Sequence, residues 1–165
     1  MSTVPSKEEV FDKVIFFQSL NLDVIIEEFI SGVYHTVPAY SELGKIKLLP
    51  CMKEISPETN NIITNEQRKY LDKIIPPAFV EDKDLIDCLN RHTEQMYRLI
   101  EPLDFARFDY IVSNKDNLPY FLELNVCCSL GSYAEFAIAA KKTGIEYEEM
   151  ISMLIENSLH RQVIT

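Results

Sequence analysis

The sequence predicts an α+β fold, a mainly antiparallel sheet with flanking helices. Two observations carry this. The pattern runs helix, strands, loop, helix, strands, helices, with no regular alternation of strand and crossover helix. The β-type runs are joined by short polar turns, which suit antiparallel neighbours. A chain of 165 residues fits one domain with a real core, and 47% hydrophobic and 25% charged residues are ordinary globular values.

Each element has a local reason. Ser6-Lys7-Glu8-Glu9 is a capping box that opens an amphipathic helix, with Val10, Val14, Ile15 and Phe17 at helical spacing and Asn21 as its stop. Asp23 to Ile30 (DVIIEEFI) reads as a buried strand, broken at Ser31-Gly32. His35 to Tyr40 and Lys45 to Ile55 continue as strands of a meander around a turn at Glu42-Leu43-Gly44. Residues 56–79 lack periodicity, hold Pro57 and Pro76-Pro77, and read as a mobile loop, either functional or disordered. Asp82 or Asp84 starts a helix whose buried stripe is Leu85, Ile86, Leu89, His92, Met96, Leu99 and Ile100, ended by Pro102. Two helices close the chain, from about Tyr133 to Lys142 and from about Glu146 to Leu159, with Gly144 between them.

Charge excludes one class of partner. A formal net charge of −10 and a pI near 4.8 argue against nucleic acid, although a local pocket with a divalent ion can still hold a nucleotide. MSTVPSKEEV has no signal-peptide pattern, and no apolar run approaches the ~20 residues of a membrane helix. Cysteines 51, 88, 127 and 128 lack C-x-x-C spacing and a matching histidine, which argues against zinc and for free thiols in a reducing cytoplasm. His35, His92 and His160 have no evident catalytic partner.

The segment Asp104 to Val126 (DFARFDYIVSNKDNLPYFLELNV) concentrates the chemistry. The turn Ser113 to Asn117 makes it a hairpin. Alternation puts Arg107 and Asp109 on one face of the first strand, with Phe108, Tyr110 and Val112 on the other. In the second strand Glu123 and Asn125 share a face, opposite Tyr120, Leu122, Leu124 and Val126. Asp109 then stands across from Glu123. Facing carboxylates destabilise a hairpin unless a cation compensates. Arg107 is one such cation and a hard divalent ion such as Mg²⁺ another. The residues alone leave two readings open: a solvated outer face, or a metal or phosphate site.

Several segments, taken in order, resemble the ATP-grasp superfamily, specifically the C-terminal part of D-alanine–D-alanine ligases. DVIIEEFISG resembles the hinge strand that lines the adenine pocket. Arg107-x-Asp109, the hairpin and Glu123-x-Asn125 resemble the family's R-x-D and L-L-E-x-N strands, and GIEYEEMISMLIENSL resembles its closing helix. The resemblance implies an ATP-grasp C-terminal subdomain spanning 1–165, with ATP and one or two Mg²⁺ ions, Mn²⁺ being a substitute. It implies metal ligation by Asp109, Glu123 and Asn125. It further implies charge stabilisation by Arg107, adenine contacts from Glu27, Glu28, Phe29 and Ile30, and a ribose-side position for Tyr34. Lys69-Tyr70 resemble the pair on the loop that closes over the phosphates, with Lys69 catalytic. The loop Ser129, Leu130, Gly131 and Ser132 falls where family members hold substrate.

The implied reaction is amide-bond formation between a carboxylate and an amine, both small molecules of the amino-acid type, through an acyl phosphate. The pattern departs at Tyr34, where the family commonly has Glu. It departs again at Val126 to Tyr133, which replaces a Thr-x-Pro-Gly-Met-Thr-Ser-His loop and puts Ser129 at a glycine position, with Ala134 following at a serine position. The family's N-terminal domain, its glycine-rich phosphate loop and the half-domain holding two nucleotide-binding lysines are expected upstream of Met1, so the isolated chain is expected to be inactive. The alternative is a non-catalytic ATP-grasp-like binding or assembly module, with a homo-oligomer or the missing N-terminal half as partner.

Overall fold

The structure is a computed structural model that describes residues 4, 6–55 and 77–164, with side chains as far as 160. It divides into two compact units, Met1–Ser31 and Gly32–Thr165.

In the first unit, α1 (Lys7–Ser19) starts where the capping box predicts: Ser6 Oγ accepts the Glu9 N–H at 3.3 Å. Val10, Val14 and Phe17 are half-buried, but Ile15 is exposed, contrary to the expected stripe. Asn21 ends the helix in the left-handed region at φ 56°. The strand expected over Asp23 to Ile30 does not form. The segment has no regular secondary structure, and Ile25, Ile26 and Phe29 are exposed. An apolar run becomes a strand only when a neighbour satisfies its backbone groups. This one has no ladder partner among the described residues.

Among the described residues the second unit is a six-stranded antiparallel sheet flanked by three helices, as the α+β reading predicts. The strands are β1 (Gly32–Glu42), β2 (Lys45–Leu48), β3 (Met52–Lys53), β4 (Ala78–Phe79), β5 (Phe105–Ser113) and β6 (Pro119–Asn125). Their order is β4-β3-β1-β5-β6, with β2 paired to β1. The single strand expected over Lys45 to Ile55 is split at 49–51, where Pro50 cannot donate to a ladder. The loop expected over 56–79 lies outside the described residues as far as 76, and Ala78–Phe79 at its end pairs with β3.

Gly32 opens β1 for a steric reason. A Cβ there would stand 2.3 Å from the Val112 carbonyl oxygen. That close approach lies at the first pair of the long β1–β5 ladder, which runs from Gly32–Ser113 to Tyr40–Phe105.

The helices are α2 (Lys83–Ile100), α3 (Glu135–Lys142) and α4 (Tyr147–Ile164). Asp82 caps α2, accepting the Leu85 N–H at 3.1 Å. Its buried residues are Leu89, Thr93 and Tyr97, whereas Leu99 and Ile100 are exposed. The buried stripe therefore leaves the expected line at its last turn.

Both sheet faces are covered. The α2 side packs Val37, Ala39, Phe108, Tyr110, Leu89 and Tyr97 into one cluster. Tyr40, Met52, Phe136, Ala140, Met150 and Leu154 form the other cluster, with α3 and α4. A T-shaped contact between Phe105 and Phe136, 5.9 Å between centroids, ties α3 to β5 on that second side.

Candidate functional site

The site lies on β1, β5 and β6, on the sheet face covered by α3. The hairpin forms as predicted, and Asp109 pairs in register with Glu123, as Arg107 does with Asn125. One expectation fails on the other face. A bulge at Leu122 makes Tyr110 pair with Phe121, not Leu122. The extra residue shifts the alternation by one, so Phe121 turns onto Tyr110, with ring centroids 5.6 Å apart. Leu122 and Tyr120 are exposed, and Val126 lies beyond the strand. The phase on the site side of the bulge is unaffected.

Asp109 is completely buried, which rules out the solvated-face reading for this residue. A buried carboxylate demands hydrogen bonds and a counter-charge, and it has both. Thr36 Oγ1 donates to Oδ1 at 2.8 Å. Arg107 Nε donates to Oδ1 at 3.0 Å and to Oδ2 at 3.3 Å, and Nη2 donates to Oδ2 at 2.9 Å. Asn125 Nδ2 donates to Oδ2 at 2.6 Å and also to Glu123 Oε1 at 3.1 Å. One amide group thus stands between the two facing carboxylates and draws them together. Glu123 itself is exposed.

Arg107 makes a second ion pair. Its Nη1 donates to Glu135 Oε2 at 3.1 Å. Burial disfavours the guanidinium charge, but the hydrogen bonds to Asp109 and the fields of Tyr34, Asp109 and Glu135 outweigh it and raise its pKa. Three carboxylates (Asp109, Glu123, Glu135) and one guanidinium leave this cluster a formal charge of −2. Such a patch attracts cations. Burial pushes the Cys128 thiol up to about 11 despite the nearby Arg107, so it is protonated at neutral pH and no nucleophile.

The structure gathers Arg107, Asp109, Glu123 and Asn125 into one network. Tyr34 lies in β1 two residues before Thr36, and its field reaches Arg107. Ser129, Leu130, Gly131 and Ser132 form the loop between β6 and α3. Ser129 Oγ accepts the Gly131 N–H at 3.4 Å, and the Gly131 carbonyl accepts the Ala134 N–H at 2.8 Å. Glu27, Glu28, Phe29 and Ile30 belong to the Met1–Ser31 unit. Glu27, Glu28 and Phe29 are exposed there and Ile30 is half-buried. Lys69 lies outside the described residues.

Thr36 and Glu135 are additions that sequence reasoning missed. Thr36 reads as an ordinary strand residue, and only the β1–β5 register sets it opposite Asp109. Glu135 reads as a helix first-turn acid, and nothing in its spacing connects it to Arg107.

Among the described residues no group of three or more His, Cys, Asp or Glu is placed to hold a metal. A hard ion at this patch would need Asn125 as a third oxygen donor beside Asp109 and Glu123. The donor set fits: two carboxylates and a carboxamide whose oxygen is brought in by turning the amide about its last bond.

Residues 1–156 match the family described as D-ala D-ala ligase C-terminus. The D-alanine–D-alanine ligase A of Clostridium perfringens (strain 13 / Type A) is 31% identical over 157 residues, covering 94% of this chain and 49% of the relative. The D-alanine–D-alanine ligase of Polaromonas sp. (strain JS666) is 25% identical over 167 residues, covering 98% and 48%. The Bacillus anthracis D-alanine–D-alanine ligase complexed with ATP has the same fold, with a TM-score of 0.73 at 22% identity over 94% of this chain and 47% of that one. D-alanyl-alanine synthetase A from Vibrio cholerae superposes with a TM-score of 0.71 at 14% identity, over 95% and 47%. The chain spans about half the length of the curated relatives it matches. With the family model matched over nearly its whole length, this chain belongs to the D-Ala–D-Ala ligase C-terminus family, whose fold is that of ATP-grasp ligases.

Proposed function

We propose that this chain is the nucleotide- and metal-binding C-terminal part of an ATP-dependent carboxylate–amine ligase. The observation that carries the reading is the buried Asp109 facing Glu123, with Asn125 between them and Arg107 alongside. ATP transfers its terminal phosphoryl group to a substrate carboxylate, releasing ADP. An amine attacks the acyl phosphate, the amide bond forms and phosphate leaves. Amino acids are the substrate class that the relatives' names suggest.

Asp109, Glu123 and Asn125 would hold Mg²⁺, which neutralises phosphate charge when bound. Thr36 and Arg107 fix the Asp109 carboxylate, so its direction does not depend on a ligand. Arg107, kept charged by its carboxylates, is the one guanidinium of the patch among the described residues and would stabilise negative charge developing on the transferred group. Glu27 to Ile30 and Tyr34 would serve the nucleotide, Lys69 the phosphates, and Ser129 to Ser132 the substrate. No side-chain nucleophile is required, in keeping with the protonated Cys128. A cytoplasmic setting, where ATP and Mg²⁺ are abundant, suits this chemistry.

Calorimetric titration with ATP, with and without Mg²⁺, tests the reading. Binding should require Mg²⁺ and weaken at least about tenfold in Glu123→Gln, an exposed position where folding is not at stake. Equal heats with and without Mg²⁺, unchanged in Glu123→Gln, would refute it. A second reading, a binding or assembly module without turnover, is supported by β6, which is the edge of the sheet among the described residues and carries exposed Tyr120, Phe121 and Leu122. Light scattering that finds a stable oligomer, together with no Mg-ATP heat, would favour that module.

A further inference from the structure

Arg107 has two donor edges, and they are held very differently. The Nε/Nη2 edge is bound to Asp109, which is completely buried and also takes bonds from Thr36 and Asn125. That edge is locked by the sheet. The Nη1 edge meets only Glu135 among the described residues. Glu135 has a quarter of its side chain exposed (26%), and the Arg107 pair is its one side-chain polar contact there. Any anion that Arg107 is to hold therefore has a single edge available, and an internal carboxylate already occupies it.

Release of Glu135 is physically easy. It is the first residue of α3, and the N-cap residue Ala134 provides no side-chain cap. A carboxylate that swings off Arg107 still sits in the first turn, where the helix dipole and free N–H groups stabilise negative charge. Asp109 has no comparable refuge.

We propose that Glu135 is a specificity-determining gate: a phosphate-type oxyanion reaches Arg107 only by displacing Glu135 from Nη1. The ion pair then sets how tightly the site accepts an anion, and keeps the Nη1 edge occupied when none is present. The choice of phosphate as the anion rests on the ligase reading; the competition itself rests on the geometry.

The test is NMR titration of this chain with inorganic phosphate, read at the Arg107 side-chain Nε–H, with acetate as a carboxylate control. Glu135→Gln and Glu135→Leu should each tighten phosphate binding by about tenfold, the scale of losing one charge-assisted competitor. Acetate should gain less. In the unmodified chain, saturating phosphate should also shift the Glu135 side-chain carboxyl signal as it leaves Arg107. Three results would overturn the gate: unchanged or weaker affinity in both variants, a gain without any shift at Arg107, or phosphate bound at Arg107 with the Glu135 signal unmoved. None of these readouts needs ATP or turnover. A gain in phosphate affinity without Mg-ATP binding would leave the gate standing and remove the ligase reading.

Discussion

Thr36 and Asp109 face each other across the β1–β5 ladder, and the threonine hydroxyl donates a 2.8 Å hydrogen bond to the buried carboxylate. A central strand thus orients the main acid of the site before any ligand arrives. Thr36→Val keeps shape and β propensity but removes the donor. It should lower stability by about 1–3 kcal/mol, the cost of leaving a buried acceptor short of a partner. Thr36→Ser should restore most of it. Urea unfolding of the two variants measures the difference, and a Thr36→Val protein as stable as the parent would show that the hydroxyl bond contributes nothing net.

Asn125→Asp would place a third acid beside Asp109 and Glu123 and remove the amide that links them. Without divalent ions the variant should be destabilised by roughly 2 kcal/mol through like-charge repulsion next to a buried carboxylate. Millimolar Mg²⁺ should return much of that loss, because an ion that binds only the folded state stabilises it by mass action. Thermal midpoints with Mg²⁺ and with EDTA supply the comparison. If Mg²⁺ raises the midpoint of neither the variant nor the parent protein, the patch does not hold the ion.

His35 gives a pH signature. Burial holds its pKa below the usual 6.5, the Val33 carbonyl bond to Nδ1 pushes back, and Lys53 lowers it further. The unfolded chain therefore binds this proton more readily. The contribution is fully present above pH 6.5 and is lost as pH falls through the folded-state pKa, at up to about 1.4 kcal/mol per unit. Stability measured from pH 7.5 down to 5.5 should fall, and His35→Gln should flatten the slope whatever its own stability. An equal slope in the variant would show that other groups titrate.

Gly32→Ala should cost at least about 2 kcal/mol, because the new Cβ meets backbone of β5 at 2.3 Å and no side chain can move aside. The same change at Gly44, where a Cβ meets nothing within 4 Å but φ is +76°, should cost about 1 kcal/mol from strain alone. Chemical denaturation of both variants separates packing from backbone conformation.

Much of the site was legible in the sequence because a hairpin is local. A polar turn and period-two alternation suffice to set Asp109 against Glu123 and Arg107 beside Asn125. Thr36 and Glu135 were not legible, since they arrive from 73 and 28 residues away from their partners, and no short-range pattern records the register or helix packing that brings them. The Asp23 to Ile30 strand misled for the opposite reason. Its composition is that of a buried strand, but a strand is a property of a pair. The bulge at Leu122 was not legible either, because an extra residue in a ladder leaves no compositional mark.

That bulge divides the hairpin into two segments with independent phase. On the side of Glu123 and Asn125, a one-residue insertion or deletion would rotate the acids off their partners. On the side of Tyr120 and the Ser113 to Asn117 turn, length can change without that penalty, since the ladder there is already out of step with the site. The hairpin tip is therefore a natural place to graft an epitope, a fluorophore or a tether while leaving the Asp109 network undisturbed.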